Sequence, residues 1–200
     1  MDTKYDVVVA GAGPAGIGAA LEAARSGAKV ARIERYGCVG GNLTLGYVGP
    51  LMGRVCAGTM AEEIENLICT KRGTVPDFER AKIALIEALD KAGVDVFLQS
   101  AVVGVVKNGE RLEKIRTVGK FGEIEFVASV FIDATGDGDL AVQSGCPFEI
   151  GREGDGLGQP VTLMFVIDGV DPEQTLLCKH EEHYTELGDG REYLDLCNKA

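Results

Sequence analysis

YDVVVAGAGPAGIGAALEAARSGAKVARIE, residues 5–34, reads as strand, glycine turn, helix, strand. Val7, Val8 and Val9 form a β-branched run suited to a strand buried on both faces. Gly11, Gly13 and Gly16 spell GxGxxG. The first glycine permits a turn that a Cβ would block, the second lets main chain approach a pyrophosphate, and the third lets helix pack on strand. Over 14–26, Ile17, Ala20, Leu21 and Ala24 recur at helical spacing, so one face is apolar. Pro14 suits the helix start and Gly27 its end. The open N–H groups at that start, with the positive end of the helix dipole, favour a diphosphate.

The second strand, 29–33, runs into Glu34, eighteen positions after Gly16. A carboxylate there can accept from the ribose 2′- and 3′-hydroxyls and repels a 2′-phosphate. Strand, turn, helix, strand and acid agree on a site for an adenine dinucleotide, of the FAD or NAD type.

Composition bounds the rest. Two hundred residues make one domain, or one and a fraction. The 28 glycines come without Pro or Ser enrichment, which fits tight turns rather than disorder. A net charge of −11 with no basic run argues against nucleic acid or an anionic membrane as partner. No apolar run approaches a membrane-spanning length, and the first strand begins too early to leave room for an export leader. Cys38, Cys56, Cys69, Cys146, Cys178 and Cys197 are scattered without a CxxC pair. They read as reduced thiols, and the expected location is cytoplasmic.

Residues 35–60 are glycine-rich and weakly periodic, the mark of a long ordered loop with a function. Gly40-Gly41 follows Glu34 closely enough to return main chain to the ligand, and Asn42 and Thr44 are polar groups able to face its ring system. Helices are predicted over 60–71, on Ile64, Leu67 and Ile68, and over 77–92, on Ile83, Ile86 and Leu89. Asp77 caps the second and Gly93 ends it. A strand at 94–98 is followed by strands at 101–107, 112–118, 123–128 and 130–133, joined by short polar turns, which predicts an antiparallel β-meander. The last strand enters ATGDGD, residues 134–139, and a short helix over 139–144. There Gly136 and Gly138 allow close approach of a ligand, and Asp137 or Asp139 can cap the helix. Asp133, Asp137 and Asp139 lack the spacing of a calcium loop, so no metal is expected.

Taken together, GAGPAGIGAA, Glu34, Gly40-Gly41 and FIDATGDGDLA resemble the FAD-dependent oxidoreductases of the glutathione-reductase/fumarate-reductase superfamily. ERYGCVGGNLT, GTMAEEIENL and QPVTLMFVIDGVD look most like its bacterial FAD_oxidored branch. The resemblance implies an α/β, Rossmann-like FAD-binding domain over 1–150, a parallel sheet with a β-meander crossover. Residues 151–200 become a linker and the start of an incomplete substrate or cap domain, with a strand at 161–167 and helices at 171–187 and 192–199. It implies FAD rather than NAD as cofactor. Gly11, Gly13, Pro14, Ala15 and Gly16 would hold the pyrophosphate, and Glu34 with Arg35 the adenosine ribose. Gly40, Gly41 and Asn42 would lie along the ribityl and isoalloxazine side, and Val103 would meet adenine through its main chain. Ala134, Gly136 and Asp137 would close over the nucleotide, and Gln159 and Thr162 would reach the flavin.

The same resemblance implies members about twice this length, so a missing C-terminal half or a partner subunit is expected to complete the fold. The implied reaction passes a hydride between the flavin and a small organic substrate; the alternative is a non-catalytic or truncated dinucleotide-binding domain. No catalytic side chain is visible. Cys38 has no second cysteine in 39–55 and reads as a packed thiol, and Arg54 as a solvated arginine. Cys178, His180 and His183 read as the polar face of an acid-rich helix.

Overall fold

The computed structural model describes residues 3–49, 55–69, 77–166 and 169. The chain divides into two units at Met164 and Phe165, and the architecture below is that of the first.

Strand β1 (Lys4–Ala10) leads through the glycine turn into helix α1 (Pro14–Arg25), and β2 (Val30–Ile33) returns beside it. Residues 7–10 of β1 pair in parallel with residues 30–33 of β2. Gly27, at φ +86°, closes α1, its N–H bonding to the Ala24 carbonyl. After the long loop come α2 (Met60–Ile68) and α3 (Phe78–Lys91), then β3 (Asp95–Phe97), parallel to β2. Thr59 caps α2 and Asp77 caps α3, each side chain accepting a first-turn N–H. The buried stripe of α3 is Ala81, Leu85 and Leu89; Ile83, expected inside, is 58% exposed. Two apolar stripes compete on that helix, and the one facing α1 and the sheet prevails.

Strands β4 (Ser100–Asn108), β5 (Arg111–Gly119) and β6 (Gly122–Asp133) form the meander, and the sheet order is β3-β2-β1-β6-β5-β4. The two strands expected at 123–128 and 130–133 are one. Up to Val127 this strand pairs antiparallel with β5, and from Val127 to Asp133 it pairs in parallel with β1. Ser129 does not break it, because its side chain is exposed while its backbone continues the ladder. The strand therefore carries the chain from the meander to the edge where β1 ends. Helix α4 (Asp139–Gln143) follows.

Two apolar clusters result. Ile17, Leu21, Ile64, Ile68, Leu85 and Leu89 fill the helix side of the sheet with Val9 and Val30. Tyr5, Val8, Ile33, Ile115, Phe126 and Leu140 join the other side to the meander, with Phe97 and Phe126 edge to face at 4.7 Å. The strand expected at 161–167 is not formed over 161–166, which is exposed and has no partner strand among the described residues. Ile167 and the helices expected at 171–187 and 192–199 lie outside the described residues.

Candidate functional site

Both glycine turns emerge at the same edge of the parallel strands, where β1 and β6 lie side by side. They touch: a Cβ on Gly11 would fall 2.1 Å from the Ala134 carbonyl oxygen, and Gly11 holds φ +98°. The Ala134 N–H donates to the Ala10 carbonyl at 2.7 Å, which locks the second turn to the first.

Strand β2 and the loop after it grip the first turn. Gly11 N–H donates to the Ile33 carbonyl, and Ala12 N–H to Glu34 Oε2 at 2.6 Å. Gly40 N–H donates to the Ala12 carbonyl at 2.7 Å. Arg32 Nη2 donates to the carbonyls of Gly11 and Gly13, each at 3.2 Å, and Ile17 N–H also bonds to Gly13. Gly13 N–H is left without an acceptor among the described residues. The first-turn N–H groups of α1 join it, because no side chain caps that helix among the described residues. A Cβ on Gly13 would meet nothing described within 4 Å, so this glycine faces open space.

Glu34 is 6% exposed and does two things at once. Besides Ala12 N–H, its carboxylate accepts from Tyr36 N–H at 2.8 Å through Oε1. One lone pair per oxygen stays available to hydroxyl donors. Next to it, the Arg35 guanidinium lies over the Tyr36 ring, 4.8 Å from its centroid.

Between the turns lies a cleft of about 1040 Å³. Of the residues expected at the cofactor, Gly11, Gly13, Pro14, Ala15, Glu34, Arg35, Gly41, Asn42, Ala134 and Gly136 line it. Gly16, Gly40, Asp137 and Val103 do not. Gly16 is buried beneath the turn, where a Cβ would meet the Gly11 carbonyl oxygen at 2.2 Å; its role there is packing. Gly40 has its N–H taken by Ala12, so it braces the loop. Asp137 is exposed and lies off the cleft wall. Val103, expected to offer its main chain, is not part of the lining; it sits at the β4–β5 register shift between Val102 and Gly104, with its side chain 46% exposed, and Ser100, Ala101 and Val102 line the cleft instead.

Thr44 is also corrected. It is fully buried, its hydroxyl donating to the Val39 carbonyl at 2.7 Å rather than facing a ligand. Gln159 and Thr162 are exposed and away from the cleft. Cys38 is half-buried, and burial pushes its thiol up, against nucleophilic use. Arg54, Cys178, His180 and His183 lie outside the described residues.

The second turn is stiffened from within. Asp133 Oδ1 accepts from Thr135 N–H and hydroxyl at 3.0 and 2.7 Å, and Oδ2 accepts from Ala141 N–H at 2.8 Å. Burial would raise the Asp133 carboxyl, but the donors from Thr135, Ala141 and Leu140 outweigh it and hold the group below its ordinary value. Asp133, and neither Asp137 nor Asp139, thus supplies the carboxylate for α4. An Asp two places before Thr at a turn is a local signal for this. Arg32 is the other residue the sequence hid, since its place in a strand buried on both sides shows only in three dimensions.

The profile of the FAD dependent oxidoreductase family matches residues 6–195. Soluble pyridine nucleotide transhydrogenases from Hahella chejuensis and Ectopseudomonas mendocina are 63% and 60% identical over 41 residues, 20% of this chain and 9% of theirs. Among solved structures, the Thermovibrio ammonificans THI4 protein superposes with a TM-score of 0.56 at 23% identity, covering 76% of this chain and 67% of that one. The glycerol-3-phosphate dehydrogenase from Bacillus halodurans, solved with FAD, gives a TM-score of 0.53 at 12% identity, covering 72% and 37%. These two likenesses speak for the fold.

Proposed function

The chain belongs to the FAD-dependent oxidoreductase family, whose cofactor is FAD, and on that premise we propose that it passes a hydride between bound flavin and a small organic substrate. The observation that carries the proposal is the cleft where two glycine turns meet, with an uncapped helix start at its floor and the Glu34 carboxylate in its wall.

The residues present fit FAD. Gly13 leaves open space where a side chain would stand, and a Cβ on Gly41 would come within 2.9 Å of Gly13 Cα, so both glycines keep the cradle clear. On this reading Gly13 N–H and the first turn of α1 hold the diphosphate, and the free lone pairs of Glu34 take ribose hydroxyls. Arg35 and Tyr36 flank the adenosine end, with Ser100 to Val102 opposite. Gly41, Asn42, Ala134 and Gly136 follow the cofactor towards its ring. FAD, when bound, supplies an isoalloxazine that takes up or releases a hydride. The protein orients it and keeps water from its adenosine half. Among the described residues no side chain is placed to act on a substrate, and on this reading substrate recognition falls to residues outside them or to a partner subunit. Among the described residues no helix is long and apolar enough to cross a membrane, and we read the protein as cytoplasmic.

Adding FAD to the purified chain tests this. At 100 times its Kd the cofactor should stabilise by about 2.7 kcal/mol, a rise in Tm of about 5–10 °C for a chain this size. A chain that neither copurifies with flavin nor shifts its Tm would refute the proposal. If NAD produced the shift and FAD did not, the domain would be a nicotinamide binder.

A further inference from the structure

Arg32 stands in the middle of β2, paired with Val9 on one side and Val96 on the other, and none of its surface is exposed. A guanidinium has five N–H donors. Here Nη2 bonds to Gly11 and Gly13, while Nε and Nη1 have no partner among the described residues. Burial lowers its pKa to about 10 against the pull of Glu34, so at neutral pH the group remains charged. With Glu34 as a nearby counter-charge but no ion pair to it among the described residues, and with Nε and Nη1 unpartnered, this buried cation is a liability that an apolar residue would remove. Its position suggests what offsets it. It lies directly behind the first glycine turn, and its two bonds fall on either side of the peptide unit joining Ala12 and Gly13. With the Gly11 and Gly13 carbonyls drawn to the strand side and Ala12 O held by Gly40, that peptide presents its one uncommitted donor, Gly13 N–H.

We infer that Arg32 is the resident counter-charge for the ligand's diphosphate, a positioning residue that acts through the carbonyls of Gly11 and Gly13 rather than by touching the ligand. The inference rests on the reading that a dinucleotide diphosphate occupies the cleft. It has an unusual consequence: removing Arg32 should leave the ligand-free protein at least as stable while weakening its hold on phosphate.

Calorimetric titration of the purified chain with ADP and with adenosine, beside thermal unfolding without ligand, tests it. Arg32→Met should keep or raise the ligand-free Tm and weaken ADP about tenfold, the size of one unit charge acting through a medium between protein and water. Adenosine affinity should be unchanged. Arg32→Lys, which keeps charge and loses the fork, should retain most of the ADP affinity. Unchanged ADP binding in Arg32→Met would overturn the inference, as would equal loss for ADP and adenosine. So would a fallen Tm or failure to fold, since Arg32 would then be loop scaffold. Wild-type protein that binds neither ligand would instead overturn the dinucleotide reading itself.

Discussion

The two glycine turns meet at one strand edge, yet they are held in opposite ways. The first, residues 11–16, has no polar side chain of its own and is held from outside by Ile33, Glu34 and Gly40, with the Arg32 charge behind it. The second, residues 133–138, is held by its own Asp133 and Thr135. External bracing leaves the first turn's outward donors uncommitted; internal bracing consumes the oxygens of Asp133 and Thr135. The first can therefore bind an anion, and the second can offer only close main chain. Four substitutions probe that contrast.

The largest effect is expected where the turns touch. Gly11→Ala puts a Cβ into the Ala134 carbonyl and demands φ +98° of an L residue, so unfolding free energy should fall by about 4 kcal/mol. Urea denaturation measures it. A loss under about 1 kcal/mol would mean the turns can separate. Next is Asp133→Asn, which turns an amide towards Ala141 N–H; about 2 kcal/mol should go. Because folding holds the Asp133 carboxyl below its ordinary value, its contribution is complete above about pH 4 and fades as pH drops through the folded-state pKa. Wild type should lose stability on that acid side, and the Asn variant should lack that component of the loss.

Gly13→Ala should separate binding from folding. Its Cβ meets nothing described within 4 Å and its φ is −71°, so stability should change by about 1 kcal/mol or less. FAD affinity should fall at least about tenfold, because that Cβ stands where the diphosphate is proposed to lie. Equal FAD affinity would move the ligand off the first turn.

What the sequence disclosed, and what it hid, follows the same division. The β1-α1-β2 unit was legible because period, turn glycines and terminal acid are all local, and so was the Asp77 cap. The bracing was not. Arg32 reads as an ordinary strand cation until strands close on both sides, and Glu34 reads as a ribose ligand although it also pins Ala12 and Tyr36. Val103 came from the family resemblance, and the alternation of its strand carries no mark of the register shift beside it. Ser129 looked like a break because pairing with β1, over a hundred residues away, is what continues β6.

The smallest effect is the most pointed. Asp137, in the middle of TGDGD, looks like the acid that shuts over the nucleotide. It is instead exposed, off the cleft wall, and the bonds that close the turn go to Asp133. Asp137→Ala should shift stability by less than about 0.5 kcal/mol, as exposed substitutions do, and FAD affinity by less than about twofold. A larger loss of affinity, with stability intact, would show that the second turn rearranges on binding to bring Asp137 inward. The second turn would then be more than a rigid wall, and the contrast between a braced donor turn and a self-closed one would hold only for the ligand-free protein.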